Sequence, residues 1–217
     1  MRKKRRLSPI IGILLLLALV MSWLFSACTA EAPIPTSPPT PSPTPTATPT
    51  PTPLPALMAK WSGDGVIAPG EYTGMKAYGD YEIHWASDEQ YIYIAMKAKT
   101  SGWVAVGFKP TTGMKDADMV FGFVKNGMVT VSDQFSTGIY GPHVPDTELG
   151  GTDDIHEFGG MEQDGFTTIE FKRALNTDDI YDHELTKGIT KIIWAYSSSN
   201  SLTAAHSNRG YGEITLE

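Results

Sequence analysis

Residues 57–217 alternate apolar and polar side chains with a period of two, and no stretch keeps a helical period over three turns. Successive side chains on an extended strand point to opposite faces, so this alternation commits the region to sheets. "YEIHWAS" and "YIYIAMKAK" alternate on either side of a polar gap and read as a hairpin. "GWVAVGFK" is a more apolar strand. In "ADMVFGFVKNGMVTVSD" two strands flank Asn126-Gly127, a pair that tolerates the positive φ angles of a tight hairpin turn. "FTTIEFKRAL", "TKIIWAYSSS" and the terminal Gly212–Glu217 complete the set, while "NTDDIYDHELTKG" is expected to carry a short helical turn. Many short strands joined by Gly-rich turns predict an all-β, antiparallel β-sandwich, with enough chain for one real core.

The segment before the domain reads differently. Arg2, Lys3, Lys4, Arg5 and Arg6 precede the apolar run "IIGILLLLALVMSWLF", and "FSAC" places small residues before Cys28. Residues 1–27 are thus expected to be a lipoprotein signal peptide, with Cys28 as the lipid attachment site and Phe25 where the usual pattern has leucine. An uncleaved signal anchor is the alternative. Both put the rest of the chain on the extracytoplasmic face of the cell membrane, because the basic end stays inside. Residues 28–56 contain "PTSPPTPSPTPTATPTPTPLP", which cannot bury apolar surface and is expected to be a disordered stalk. Cys28 is the only cysteine, so no internal disulfide forms. The chain has 17 Lys and Arg against 24 Asp and Glu, and losing the five leading basic residues makes it more acidic still. That charge argues against a nucleic-acid partner.

Five blocks carry a resemblance: "GWVAVGF", "GMKDADMVFGFVKNG", "VSDQFSTG", "FTTIEFKRALNTDD" and "IIWAYSSSNSLTAAHSNRG". In order and spacing they resemble the DOMON family, across about Gly65 to Glu217. The resemblance implies an immunoglobulin-like β-sandwich that binds haem or sugar. In the haem-binding branch, similar to the cytochrome domain of cellobiose dehydrogenase, one Met and one His hold a b-type haem. Those ligands carry over to Met114 in "TTGMKDADM" and His206 in "AAHSNRG". His206 is expected in a loop with Arg209, just before the last strand.

The residues must also suit the chemistry. A His nitrogen with a Met thioether favours ferrous iron and raises its potential, and filling both axial positions leaves no open site. Such a domain transfers electrons and is not expected to be an enzyme. No C-x-x-C-H occurs, so haem b would be held non-covalently in an apolar pocket. Trp103, Phe108, Met119, Phe121 and Phe123 lie near the Met114 end and could line it. Met119 shares a face with Phe121 and Phe123 and reads as core. Arg209 suits a haem propionate, because a guanidinium fork matches a carboxylate. The expected partner is an unidentified redox protein.

The second reading is a carbohydrate or other small-ligand sandwich without haem, with Trp61, Trp85, Tyr91 and Tyr93 stacking on sugar faces if exposed. His84, His143, His156 and His183 share no close metal-ligand spacing. His156-Glu157 lacks the second histidine of H-E-x-x-H, since Gly160 stands there. The acidic runs "KDAD", "DTELGGTDDIHE" and "NTDDIYDHE" lack EF-hand spacing and read as solvated loops. No nucleophile elbow, Walker loop or dinucleotide fingerprint is present.

Overall fold

The computed structural model describes residues 61–217. The signal segment, Cys28 and the Thr/Pro stalk lie outside the described residues. In chain order the elements are β1 (Gly74–Tyr78), β2 (Tyr81–Ser87), β3 (Tyr91–Ala98), β4 (Val104–Phe108), β5 (Asp118–Lys125), β6 (Met128–Ser136), β7 (His143–Pro145), α1 (Asp146–Leu149), β8 (Ile155–Gln163), β9 (Phe166–Ala174), β10 (Gly188–Tyr196) and β11 (Asn208–Leu216). They form two antiparallel sheets, ordered β1-β2-β3-β9-β8 and β11-β10-β4-β5-β6-β7. The all-β sandwich expected from the alternation is what the chain adopts.

The main core lies between the sheets. Ile83, Ile94, Met96, Ile169 and Phe171 come from the first sheet, and Val104, Val106, Phe108, Val120, Ile192 and Ile214 from the second. Tyr81 stacks on Trp194 across the sheets at 5.0 Å. The β5–β6 turn is built on Asn126 and Gly127, both at positive φ (53° and 75°), as the dipeptide requires. A fully buried ion pair crosses the core: Arg173 Nη1 of β9 donates to both Asp118 oxygens of β5, at 2.7 and 2.8 Å.

Several expectations need correction. β11 starts at Asn208, earlier than expected, so Arg209 belongs to the strand and pairs with Ala195. "NTDDIYDHELTKG" forms no helix before β10 begins at Gly188, and the one short helix among the described residues is α1. Part of a run read as a solvated loop is the edge strand β8, whose side chains are mostly exposed.

The central strands explain where a site can form. Every residue of β4 is buried, and β5 is buried on both faces until Phe123. One face of each meets the inter-sheet core. The other face looks away from the first sheet, so loops of the second sheet must cover it.

Candidate functional site

The outer face of the six-stranded sheet is built from cross-strand rows. In one row Phe121, Ala105, Ala195 and Arg209 stand side by side; in the next stand Met119, Gly107, Ile193 and Tyr211. Alanine and glycine in the middle of these rows keep the centre of the face low. At Gly107 an added Cβ would lie 2.9 Å from Ile193 Cγ1 and 3.2 Å from Met119 Cγ, so only glycine lets those two side chains converge.

Three loops rise around this floor. The β4–β5 loop carries Met114, whose N–H donates to the Ile139 carbonyl at 3.0 Å and whose carbonyl accepts from Ala117 N–H at 3.0 Å. The β6–β7 loop carries Ile139 and Tyr140. The β10–β11 loop carries His206, and its ends are closed by Ser207 N–H to the Tyr196 carbonyl at 2.8 Å and Ser197 Oγ to the Ala205 carbonyl at 3.0 Å. Backbone bonds on either side thus limit where the Met114 and His206 side chains reach.

Between floor and loops lies a predominantly apolar cleft lined by Ala105, Gly107, Met114, Met119, Ile193, Ala195, His206, Arg209 and Tyr211, among others. Met114, His206 and Arg209, selected from sequence, therefore face one cleft. Arg209 Nη1 lies 3.4 Å from His206 Nε2, at the exposed rim. Trp103 and Phe121 do not line the cleft; they meet edge to face at 5.2 Å in the buried cluster that also holds Met119 and Ile193. Trp103 Nε1 is buried there without a partner. Phe108 does not belong to this face; it points into the inter-sheet core. Met119 is 4 % exposed, as a core residue would be, but it lies on the outer face and lines the cleft beside Met114.

The sequence reading passed over His143. It stacks on Phe121 (4.7 Å, 16°), and its Nδ1 pairs with Gln134 Oε1 at 2.6 Å. Since Oε1 can only accept, Nδ1 carries the proton and Nε2 keeps its lone pair. Burial, and next the nearby His206, push the His143 pKa below its usual value. The signal lay in β7, which is three residues long, follows Pro142 and ends on Pro145, and so is too short to read.

Elsewhere the other candidates separate. Trp85 and Tyr93 are buried, and Trp61 packs on Tyr93 at 5.2 Å while its Nε1 donates to Tyr72 Oη at 2.9 Å. The Tyr91 ring faces Lys172 Nζ at 4.3 Å. These aromatics form packed clusters, with Trp85 and Tyr93 buried and Trp61 and Tyr91 half-buried. The acidic runs are not all solvated: Asp118, Asp146 and Asp182, one from each run, are buried. Asp118, Asp133 and Asp182 offer carboxylate oxygens within 4.8 Å of one another. Burial first, then neighbouring carboxylates, raise Asp133 to about 8 and Asp146 to about 7.

Residues 77–197 match the DOMON domain family, and the chain belongs to that family. It is 35% identical over 120 residues to the mouse (Mus musculus) DBH-like monooxygenase protein 1, covering 54% of this chain and 18% of that protein. With the human (Homo sapiens) protein of the same name it shares 31% over 148 residues, covering 66% and 23% respectively. The chain thus spans less than a quarter of these relatives. Among solved structures it is similar to the cytochrome b domain of pyranose dehydrogenase from Coprinopsis cinerea (13% identity, TM-score 0.46, 62% of this chain and 75% of that one). It is also similar to the cytochrome domain of Myriococcum thermophilum cellobiose dehydrogenase (14%, 0.48, 63% and 75%).

Proposed function

We propose that this DOMON domain binds one non-covalent haem b in the outer-face cleft, with Met114 and His206 as axial ligands, and serves in single-electron transfer. One observation carries the reading: a methionine and a histidine 92 positions apart in sequence, with an arginine beside the histidine, line the same apolar cleft. The donor set suits the group. Thioether and imidazole are the pair that favours low-spin iron and a raised potential. The low centre at Ala105, Gly107 and Ala195 suits a flat ligand.

Bound haem supplies a reversible ferric–ferrous couple. The chain's own residues do the rest. Met114 and His206 would hold the iron through a thioether and an imidazole, leaving it no position free for substrate; the domain is read as an electron carrier and not an enzyme. The backbone bonds that close the two loops fix their main chain before a cofactor arrives, which lowers the ordering cost of binding. Arg209, at the rim beside His206, would pair with a propionate. Ile193, Met119 and Ala195 keep water from the floor.

The N-terminal reading completes the role. A lipid on Cys28 and a Thr/Pro stalk hold the domain on the extracytoplasmic face while letting it reach a partner. The acidic sequence favours a basic redox partner and brief contacts. The packed state of Trp61, Trp85 and Tyr93 speaks against sugar stacking as the main role.

The test is an absorption spectrum of the full-length protein, purified in detergent and supplied with haemin, before and after dithionite. A sharp reduced α-band with a low-spin Soret peak is expected, and His206→Ala should abolish it. A folded protein that stays colourless with added haemin would overturn the reading.

A further inference from the structure

Members of the three acidic runs of the sequence come close inside the protein. Asp118, from the first, and Asp182, from the third, lie together with Asp133 of β6, and Asp146, from the second, is near enough for Asp182 and Asp118 to raise its pKa. Asp118, Asp133 and Asp182 bring carboxylate oxygens within 4.8 Å of one another. Asp118 is 0 %, Asp133 2 % and Asp146 1 % exposed.

One guanidinium does not satisfy this group. Arg173 Nη1 bonds both oxygens of Asp118 and, at 3.0 Å, Asp182 Oδ1. Asp133 Oδ2 accepts from the Asp154 N–H at 3.0 Å, but its Oδ1 is buried with no partner. Both oxygens of Asp146 are buried with no partner. Four largely buried carboxylates surround one positive charge, and native proteins rarely leave buried carboxylate oxygens unpaired. Among the described residues, none donates to these oxygens.

We infer that Asp118, Asp133, Asp146 and Asp182 hold a hard divalent cation, calcium, beside Arg173 between the two sheets. The donors are oxygens only. The nearest histidine, His183, has its Nε2 turned to the Asp116 carbonyl at 2.7 Å, so no nitrogen is offered and a softer metal is not favoured. Calcium accepts six to eight oxygens in irregular geometry, whereas magnesium keeps most of its water and suits a dry carboxylate cage poorly. The ligands come from distant parts of the chain: β5, β6, α1 and the β9–β10 connection. A cation there ties those segments together only when all are folded, so its binding energy becomes folding energy.

The experiment uses the full-length protein in detergent, stripped with EGTA, with Ca²⁺ alone as the probe. Calorimetric titration should give one Ca²⁺ per chain. Unfolding followed by circular dichroism should show a Tm rise of about 5–10 °C at a Ca²⁺ concentration a hundredfold above its dissociation constant. Asp146→Asn should lose both the heat and the shift, and the exposed-site variant Glu89→Gln should keep them. A wild-type Tm that is the same in EGTA and in Ca²⁺, with no binding heat, overturns the inference without relying on any variant. A full response retained by folded Asp146→Asn overturns the assignment of the site.

Discussion

The floor of the cleft offers a direct test of where a flat cofactor lies. Gly107→Val adds an isopropyl group to the outer face of β4, and its Cβ alone would come within 2.9 Å of Ile193 and 3.2 Å of Met119. Both neighbours are side chains, so they can turn aside, and overpacking of this kind costs about 1–3 kcal/mol. Replacing glycine within a strand returns about 0.5–1 kcal/mol of backbone entropy. The net loss is about 0–2.5 kcal/mol, which for a domain of this size lowers Tm by at most about 10 °C. The fold should therefore survive. The cleft should not, because the new methyls rise from the middle of the floor between the Met114 and His206 loops. Haemin titration followed at the Soret band should show at least tenfold weaker binding, about 1.4 kcal/mol. A folded Gly107→Val protein that binds haemin with wild-type affinity and spectrum would show that the cofactor does not lie on this floor.

Other substitutions separate the roles of individual residues. Met114→Leu should free one axial position, seen as loss of the six-coordinate reduced spectrum and a gain in carbon monoxide binding, whereas Met119→Leu should leave the spectrum unchanged; the reverse result would exchange their roles. Arg173→Met strands the fully buried Asp118 carboxylate and should cost about 3–5 kcal/mol; a Tm within 2 °C of wild type, to be judged against the expected fall of about 6–20 °C, would refute that. Burial raises the pKa of Glu170, which accepts from Tyr72 Oη and from the N–H groups of Asp64 and Gly65. The folded state then holds this proton above the unfolded pKa, so the contribution of Glu170 to stability falls as pH rises from the unfolded value through the raised one. Glu170→Gln should flatten that part of the Tm-against-pH curve, and an unchanged slope would assign it elsewhere. Asp118 and Met119 are consecutive on β5, so removing Ca²⁺ with EGTA should weaken haemin binding; equal affinities with and without Ca²⁺ would show the two sites to be independent.

The strands were legible because alternation is a local property. "YEIHWAS" is β2 residue for residue, and the Asn126-Gly127 turn lies where the dipeptide put it. Edge strands were less legible: β8 buries little, so its side chains carry no strong alternation. In the site, Met114, His206 and Arg209 were found through blocks of resemblance, since nothing in their spacing links them. Met119 and Phe108 show what periodicity leaves out. It tells which residues share a face, but not whether that face meets the other sheet or the covering loops. A strand such as β4, buried on both faces, gives no contrast from which to choose. The acid cluster was illegible for a related reason. Each aspartate sits in a polar run that looks solvated, and only the tertiary arrangement reveals that one member of each turns inward.

The same alternation also sets the two sites back to back. On β5, Asp118 points to the inter-sheet space and bonds Arg173, while Met119, the next residue, lines the cleft on the outer face. On β6, Asp133 faces the acid cluster and Gln134, the next residue, holds His143 beside the cleft. A cation held by Asp118 and Asp133 would therefore sit directly behind Met119 and Gln134, which pair across β5 and β6. The strands are the shared wall, and a two-residue period puts one group of ligands on each side of it.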